Sequence, residues 1–338
     1  MIKVIIIGFG NLGRSFARLV YSGSLFVKNL LICSSVCQHT ISEIEIVAIF
    51  DILKRHLDDA SSFCSNCSKN GITVSPGILL DDVPPRISRN MKIVTISENR
   101  FREILNEIDC NTAILSINSF FTKSARRYVE ILSEKGISVI NSTPIKLAND
   151  PSITRLFTER KVGIVGDYIR GYFDSWILTK SILELFNRLN LNVKDLYALE
   201  YIGGLEGYSL INSEGKNISK KITSLLNTIV PNAHDLAYSS DWYFHLKQYR
   251  EYRFILNSEP IMETPIELNV SVRLDSSIMS ALVLIDTVIA LKLAVEKGYY
   301  GRIKEICDFG FLFSDFMIKP LDQIYREFEN FIRALSQQ

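Results

Sequence analysis

The chain has 338 residues, and 38 lysines and arginines against 37 aspartates and glutamates leave a formal charge of +1. That balance supplies no long-range field to steer nucleic acid or an anionic membrane. A hydrophobic fraction of 47% with 22% charged residues excludes a disordered tail, a collagen-like rod and a disulfide miniprotein, and the length predicts about two domains.

Residues 2–7 form a β-branched run without alternation, as expected of a parallel strand covered on both faces. Its apolar stretch between Lys3 and Gly8 is too short for the core of a signal peptide. The segment Gly8, Phe9, Gly10, Asn11, Leu12, Gly13 follows at once, and Phe16, Leu19 and Val20 then repeat at helical spacing. Residues 23–43 read as an insertion. Residues 44–50 are a second buried strand ending in Asp51, followed by a helix over about 52–63. The stretch 71–85 is turn-rich and reads as irregular. Strands are expected at 93–96, 112–117 and 138–141, with helices at 99–107 and 123–134 between them. This alternation predicts a doubly wound parallel sheet, that is, an α/β fold of Rossmann type.

The second half changes character. A long helix over 174–190 is followed by strand-like runs at 193–202, 251–257 and 266–274, the last cleanly alternating, and by a helix over 278–297 that closes this half. The expected organisation is a nucleotide-binding domain over 1–170 and an α+β catalytic and oligomerisation domain over 171–298. A segment from about 275 to 338 returns to the first domain. The apolar run 278–291 is shorter than the ~20 residues of a spanning helix and carries Asp286, so it reads as a core helix of a cytoplasmic protein without membrane contact.

Six cysteines are present. Cys33 with Cys37, and Cys64 with Cys67, make two close-spaced pairs that could hold one Zn²⁺ tetrahedrally. The alternatives are thiols on a surface insertion, or disulfides. Cys110 and Cys307 read as half-buried. His39, His56, His234 and His245 show no metal spacing and no obvious base partner.

The glycine segment is informative because a buried strand precedes it and a helix follows. Gly8 permits the tight turn, Gly10 lets the backbone approach a pyrophosphate, and Gly13 allows close helix–strand packing, while the helix N-terminus offers N–H donors to the phosphate. An acidic residue usually follows about 20 residues on; here Asp51 stands about 40 residues on because of the insertion. A carboxylate there accepts ribose hydroxyls and repels a 2′-phosphate, which favours NAD over NADP, although Lys54 and Arg55 blunt the preference. Asn118, Ser119 and Thr143 follow strand ends that should line the crevice and are expected to touch the cofactor.

With these residues in view, the chain resembles the myo-inositol-1-phosphate synthase family in its compact archaeal and bacterial form, over nearly its whole length. The resemblance rests on Gly8–Gly13, on Phe50, Asp51 and Ile52, and on Asn141 through Pro144. It continues through Asn149, Asp150 and Pro151, then Gly166 with Asp167, Gly203 with Gly204, and the segment Lys216 to Lys220. Asp275 with Ser276, Ile285 with Asp286, and Phe316 to Pro320 complete it. It implies a tetramer built through the second domain, catalytic NAD, and a small phosphorylated sugar as substrate. The implied reaction is redox-neutral: oxidation of glucose 6-phosphate, intramolecular aldol closure, and reduction to inositol 1-phosphate, as in inositol and phospholipid biosynthesis. It also implies catalytic roles for Asp167, Arg170, Lys220, Lys292 and Asp275, with Asp167 also at the cofactor, and substrate contacts from Lys216, Ser219 and Ser276. Arg170, Lys216, Lys220 and Lys292 would then form a local cationic cluster for the phosphate.

Departures from the family pattern bear on the chemistry. Tyr168 and Arg170 stand where the family's Gly-Asp-Asp-x-Lys motif has its second aspartate and its lysine. Trp176 replaces a small hydroxylated residue, and Leu205 follows the double glycine where the family has asparagine. An arginine keeps the charge but cannot release a proton near neutral pH. These departures favour two alternatives to the synthase: an NAD-dependent dehydrogenase of another sugar phosphate or polyol, or a non-catalytic NAD-binding paralogue.

Overall fold

A computed structural model describes residues 1–22, 27, 30–37, 39–67, 71–260, 262–315 and 318–337. Its first sheet is built from β1 (Ile2–Ile7), β2 (Ile44–Asp51), β3 (Thr73–Pro76), β4 (Thr112–Leu115), β5 (Ser138–Asn141) and β6 (Gly163–Val165). The second is built from β7 (Val193–Ile202), β8 (Asp235–Trp242), β9 (Tyr249–Ser258) and β10 (Glu267–Asp275), after which β11 (Gly301–Arg302) rejoins the first.

The first sheet runs β11-β6-β5-β4-β1-β2-β3, and every pairing in it is parallel. Burial on both faces explains the unalternating strands: β4, β5 and β6 are buried at every position. The strand order reverses between β1 and β4, so a crevice opens at their carboxyl ends. The second sheet, β10-β9-β7-β8, is mixed, with β8 parallel and β9 antiparallel to β7.

Helix Ser276–Glu296 does not close the second half; it belongs to the segment from about 275 expected to return to the first domain. It lies on the first sheet, against helix Asn11–Ser22 and strands β1, β5 and β6. The helix is long and apolar enough to cross a membrane by composition, but most of it is buried inside the fold, which is the behaviour of a core helix. Its Asp286 is fully buried, and its carboxylate accepts from Ile32 N (3.0 Å), Cys33 N (2.9 Å) and the Tyr172 hydroxyl. Burial raises this carboxyl above its usual range. The two N–H donors sit at the start of helix Ile32–Cys37, so part of the insertion is an ordered helix tied to the core.

Other local expectations need correction. Residues 73–76 pair with β2 rather than forming an irregular loop, whereas Ile93 and Thr95 make only single bridges, to Leu53 and Gly77. Pattern reading also missed helix Gly215–Ile229 and strand β8. Cys110 is half-buried as expected, but Cys307 is fully buried, which pushes its thiol up to about 12. Cys33 and Cys64 are buried, the side chains of Cys37 and Cys67 lie outside the described residues, and no metal-binding cluster occurs among the described residues.

Candidate functional site

A cleft of about 1000 Å³ runs between the carboxyl ends of the first sheet and the second sheet. It reaches the upper limit of ordinary small-molecule pockets, about 300–1,000 Å³. One wall is made by the glycine turn. Gly8 has φ +102°, and a Cβ there would lie 2.4 Å from Ser116 O on the backbone after β4. A Cβ on Gly13 would lie 2.6 Å from Gly8 O, so the helix can only pack this closely on glycine. Gly10 is different: the nearest atom to its Cβ position is His56 Cε1 at 4.0 Å, so its open side faces the cleft.

The register of β1 with β2 (Ile7 beside Phe50) brings Asp51 next to the turn. Its Oδ2 accepts from Phe9 N (2.6 Å) and lies 3.0 Å from His56 Nδ1, and its Oδ1 accepts from Leu53 N (2.8 Å). His56 therefore has a carboxylate partner that sequence spacing did not reveal. Gly10, Asn11, Leu12 and Asp51 line the cleft, beside the first turn of helix Asn11–Ser22. A cradle open at Gly10, closed by glycine at Gly8 and Gly13 and flanked by a fixed carboxylate, fits a dinucleotide's pyrophosphate and ribose.

The other expected cofactor contacts are placed unequally. Asn118, Ser119 and Thr143 line the cleft. Asn118 Nδ2 and Ser119 Oγ also reach across to Leu205 O (3.4 Å) and Ser209 Oγ (2.8 Å) in helix Gly204–Ser209, tying the two halves together. Asp167 is not at the cleft. Its fully buried carboxylate accepts from Asn141 Nδ2 (2.7 Å), Leu147 N (3.1 Å), Ala148 N (2.9 Å), and Asn149 N and Nδ2 (3.2 and 3.0 Å). All five donors lie on β5 or the loop that follows it, the loop that carries Thr143 and Pro144 to the cleft. Asp167 is thus a positioning residue.

The expected cationic cluster does not assemble among the described residues. Arg170 is 1% exposed; its Nε and Nη1 donate to Phe309 O (2.5 Å) and Gly171 O (2.9 Å), and its guanidinium lies over the Phe309 and Tyr325 rings. Lys220 is exposed on helix Gly215–Ile229, whose Ile222 and Leu226 face the core. Ser219 on the same helix pairs with Ser240 (3.1 Å), and neither Lys220 nor Ser219 lines the cleft. Lys292 pairs with Glu296 (2.5 Å) at the far end of the core helix. The Lys216 side chain lies outside the described residues. Asp275 and Ser276 do line the cleft. Asp275 caps the core helix by accepting from Ser277 N (3.0 Å) and Oγ (2.6 Å), and Ser277 Oγ lies 2.9 Å from Ser15 Oγ.

What occupies this wall instead is a network that pattern reading did not find. Arg250 bridges Glu200 (3.1 Å) and Glu206, and the Tyr238 hydroxyl donates to Glu200. Glu200 is 4% exposed, and Tyr168, Trp176, Trp242 and Tyr252 complete the wall. The register explains it: Ile202 pairs with Arg250, and Glu200 with Tyr252, so residues 50 apart become diagonal neighbours. Tyr168 has φ +66° at the end of β6, an uncommon conformation for a non-glycine residue. Burial raises the pKa of its phenol above the usual tyrosine value.

No protein-family model matches the chain. The inositol-3-phosphate synthase of Corynebacterium glutamicum is 22% identical over 286 residues, 78% of each chain. A solved myo-inositol-1-phosphate synthase-related protein from Thermotoga maritima superposes with a TM-score of 0.77 at 16% identity, covering 98% of both chains. The inositol-3-phosphate synthase of Caenorhabditis elegans superposes with a TM-score of 0.72 at 12% identity, covering 99% of this chain and 85% of that one. The resemblance first seen in the motifs therefore extends along most of the sequence and through the fold.

Proposed function

We propose that the chain is a divergent relative of the inositol-3-phosphate synthases that binds NAD and oxidises a hydroxyl group of a small, hydroxyl-rich substrate without closing a ring. The observation that carries this reading is the glycine cradle beside Asp51 at the strand-order reversal. NAD, when bound, would accept the hydride, and the hydroxyl proton would leave to solvent through the mouth of the cleft. Gly10 and the first turn of helix Asn11–Ser22 would hold the pyrophosphate, and Asp51 would accept the ribose hydroxyls. Tyr168, Glu200 and Arg250 would orient the reacting hydroxyl. Ring closure needs cations around a developing oxyanion. Of the expected ones, Arg170 is held by carbonyls while Lys220 and Lys292 lie outside the cleft.

The full synthase reaction is the second reading, favoured by the motif resemblance around Lys216. One experiment separates the two. With NAD and glucose 6-phosphate, phosphorus NMR should find no inositol phosphate, and a panel of sugars and polyols should contain a substrate that yields net NADH by absorbance. Inositol phosphate formed without net NADH would restore the synthase reading.

A further inference from the structure

We propose that the substrate half of the cleft selects an uncharged polyol over its phosphate ester. The inference rests on the reading of the cleft as a dinucleotide–alcohol site and concerns the chain's own charges there. Among the described residues, four cations line this half: Arg86, Arg170, Lys247 and Arg250. Arg86 is exposed, with its guanidinium over the Trp242 and Tyr208 rings. Arg170 donates to two backbone carbonyls and is covered by aromatic rings. Lys247 is exposed at the rim. Arg250, the cation on the floor, already faces two carboxylates, Glu200 and Glu206, so that cluster carries a net negative charge. Asp174 and Asp275 also line this half, each as a helix cap.

A phosphate ester placed on this floor would meet Glu200 and Glu206 before it met an uncommitted cation, and like charges in a partly buried cleft are poorly screened. A polyol meets no such repulsion. The carboxylate–guanidinium pair presents an acceptor beside a donor, the arrangement that two neighbouring hydroxyls satisfy together. Trp176, Trp242 and Tyr252 also line this half and add uncharged aromatic surface to it.

The test is calorimetric binding of myo-inositol and myo-inositol 1-phosphate, and of glucose and glucose 6-phosphate, to the full chain with and without saturating NAD. A separate NAD titration judges the dinucleotide reading by itself, because the preference between alcohol and ester is a ratio measurable either way. The expected result is that at least one alcohol binds about tenfold or more tightly than its ester. Tighter binding of both esters, equal binding of each pair, or binding of neither alcohol overturns the proposal. Glu206→Gln supplies a second readout. Glu206 is 54% exposed, so the fold should tolerate the change, and release of Arg250 from one carboxylate should move the ratio about tenfold toward the ester. An unchanged ratio would show that the Arg250 pairing does not set the preference.

Discussion

Replacing Asp167 with alanine should destabilise the protein by about 3–5 kcal/mol, because a buried donor left without an acceptor costs about 1–3 kcal/mol and this carboxylate receives five bonds. Three of the donors are the backbone N–H groups of Leu147, Ala148 and Asn149, which have no freedom to turn elsewhere. Asp167→Asn keeps the shape and one acceptor oxygen and should lose less. Urea unfolding measures both. A loss below about 1 kcal/mol for the alanine variant would mean that water replaces the carboxylate and that it is not what fixes the β5 loop.

The two glycines of the turn should separate fold from ligand. Gly8→Ala places a methyl group against the backbone of residues 116 and 117 and requires a left-handed residue at φ +102°. Clash and strain together should cost about 2–4 kcal/mol of stability and weaken dinucleotide binding about a hundredfold. Gly10→Ala meets only open space within the protein. It should leave stability within about 0.5 kcal/mol of the parent while still weakening the dinucleotide about tenfold or more. Equal stability loss in both variants would show that Gly10 is structural and not a face for the pyrophosphate.

The contrast between the two sheets shows what a sequence can reveal. The glycine turn and Asp51 are legible because each stands at the carboxyl end of a largely buried strand, and the parallel register then brings them together. The second wall is built by antiparallel register between β7 and β9, and nothing near Glu200 announces that Arg250 will lie beside it. Motif resemblance assigned Arg170, Lys220 and Lys292 by residue type, but helix facing and local partners decide where a side chain points. Lys220 lies opposite the buried Ile222 and Leu226 face, Lys292 finds Glu296 one turn on, and Arg170 finds carbonyls beneath β6. Asp167 misled for a related reason: the motif resemblance put it at the cofactor, yet the end of β5 and the loop after it wrap around it and donate five hydrogen bonds to its carboxylate. The core helix was recognised as buried, but its layer depended on how the chain returns after β10.

Titration with NADH is the most direct test of NAD binding in this cleft. Both tryptophans of the chain, Trp176 and Trp242, line the cleft, so a bound reduced nicotinamide should quench their emission by energy transfer. Saturable quenching is expected, with a dissociation constant on the order of micromolar, competed by NAD, and at least about tenfold tighter than for NADPH because Asp51 opposes a 2′-phosphate. Absence of saturable quenching, or tighter binding of NADPH, would contradict this reading of the cleft.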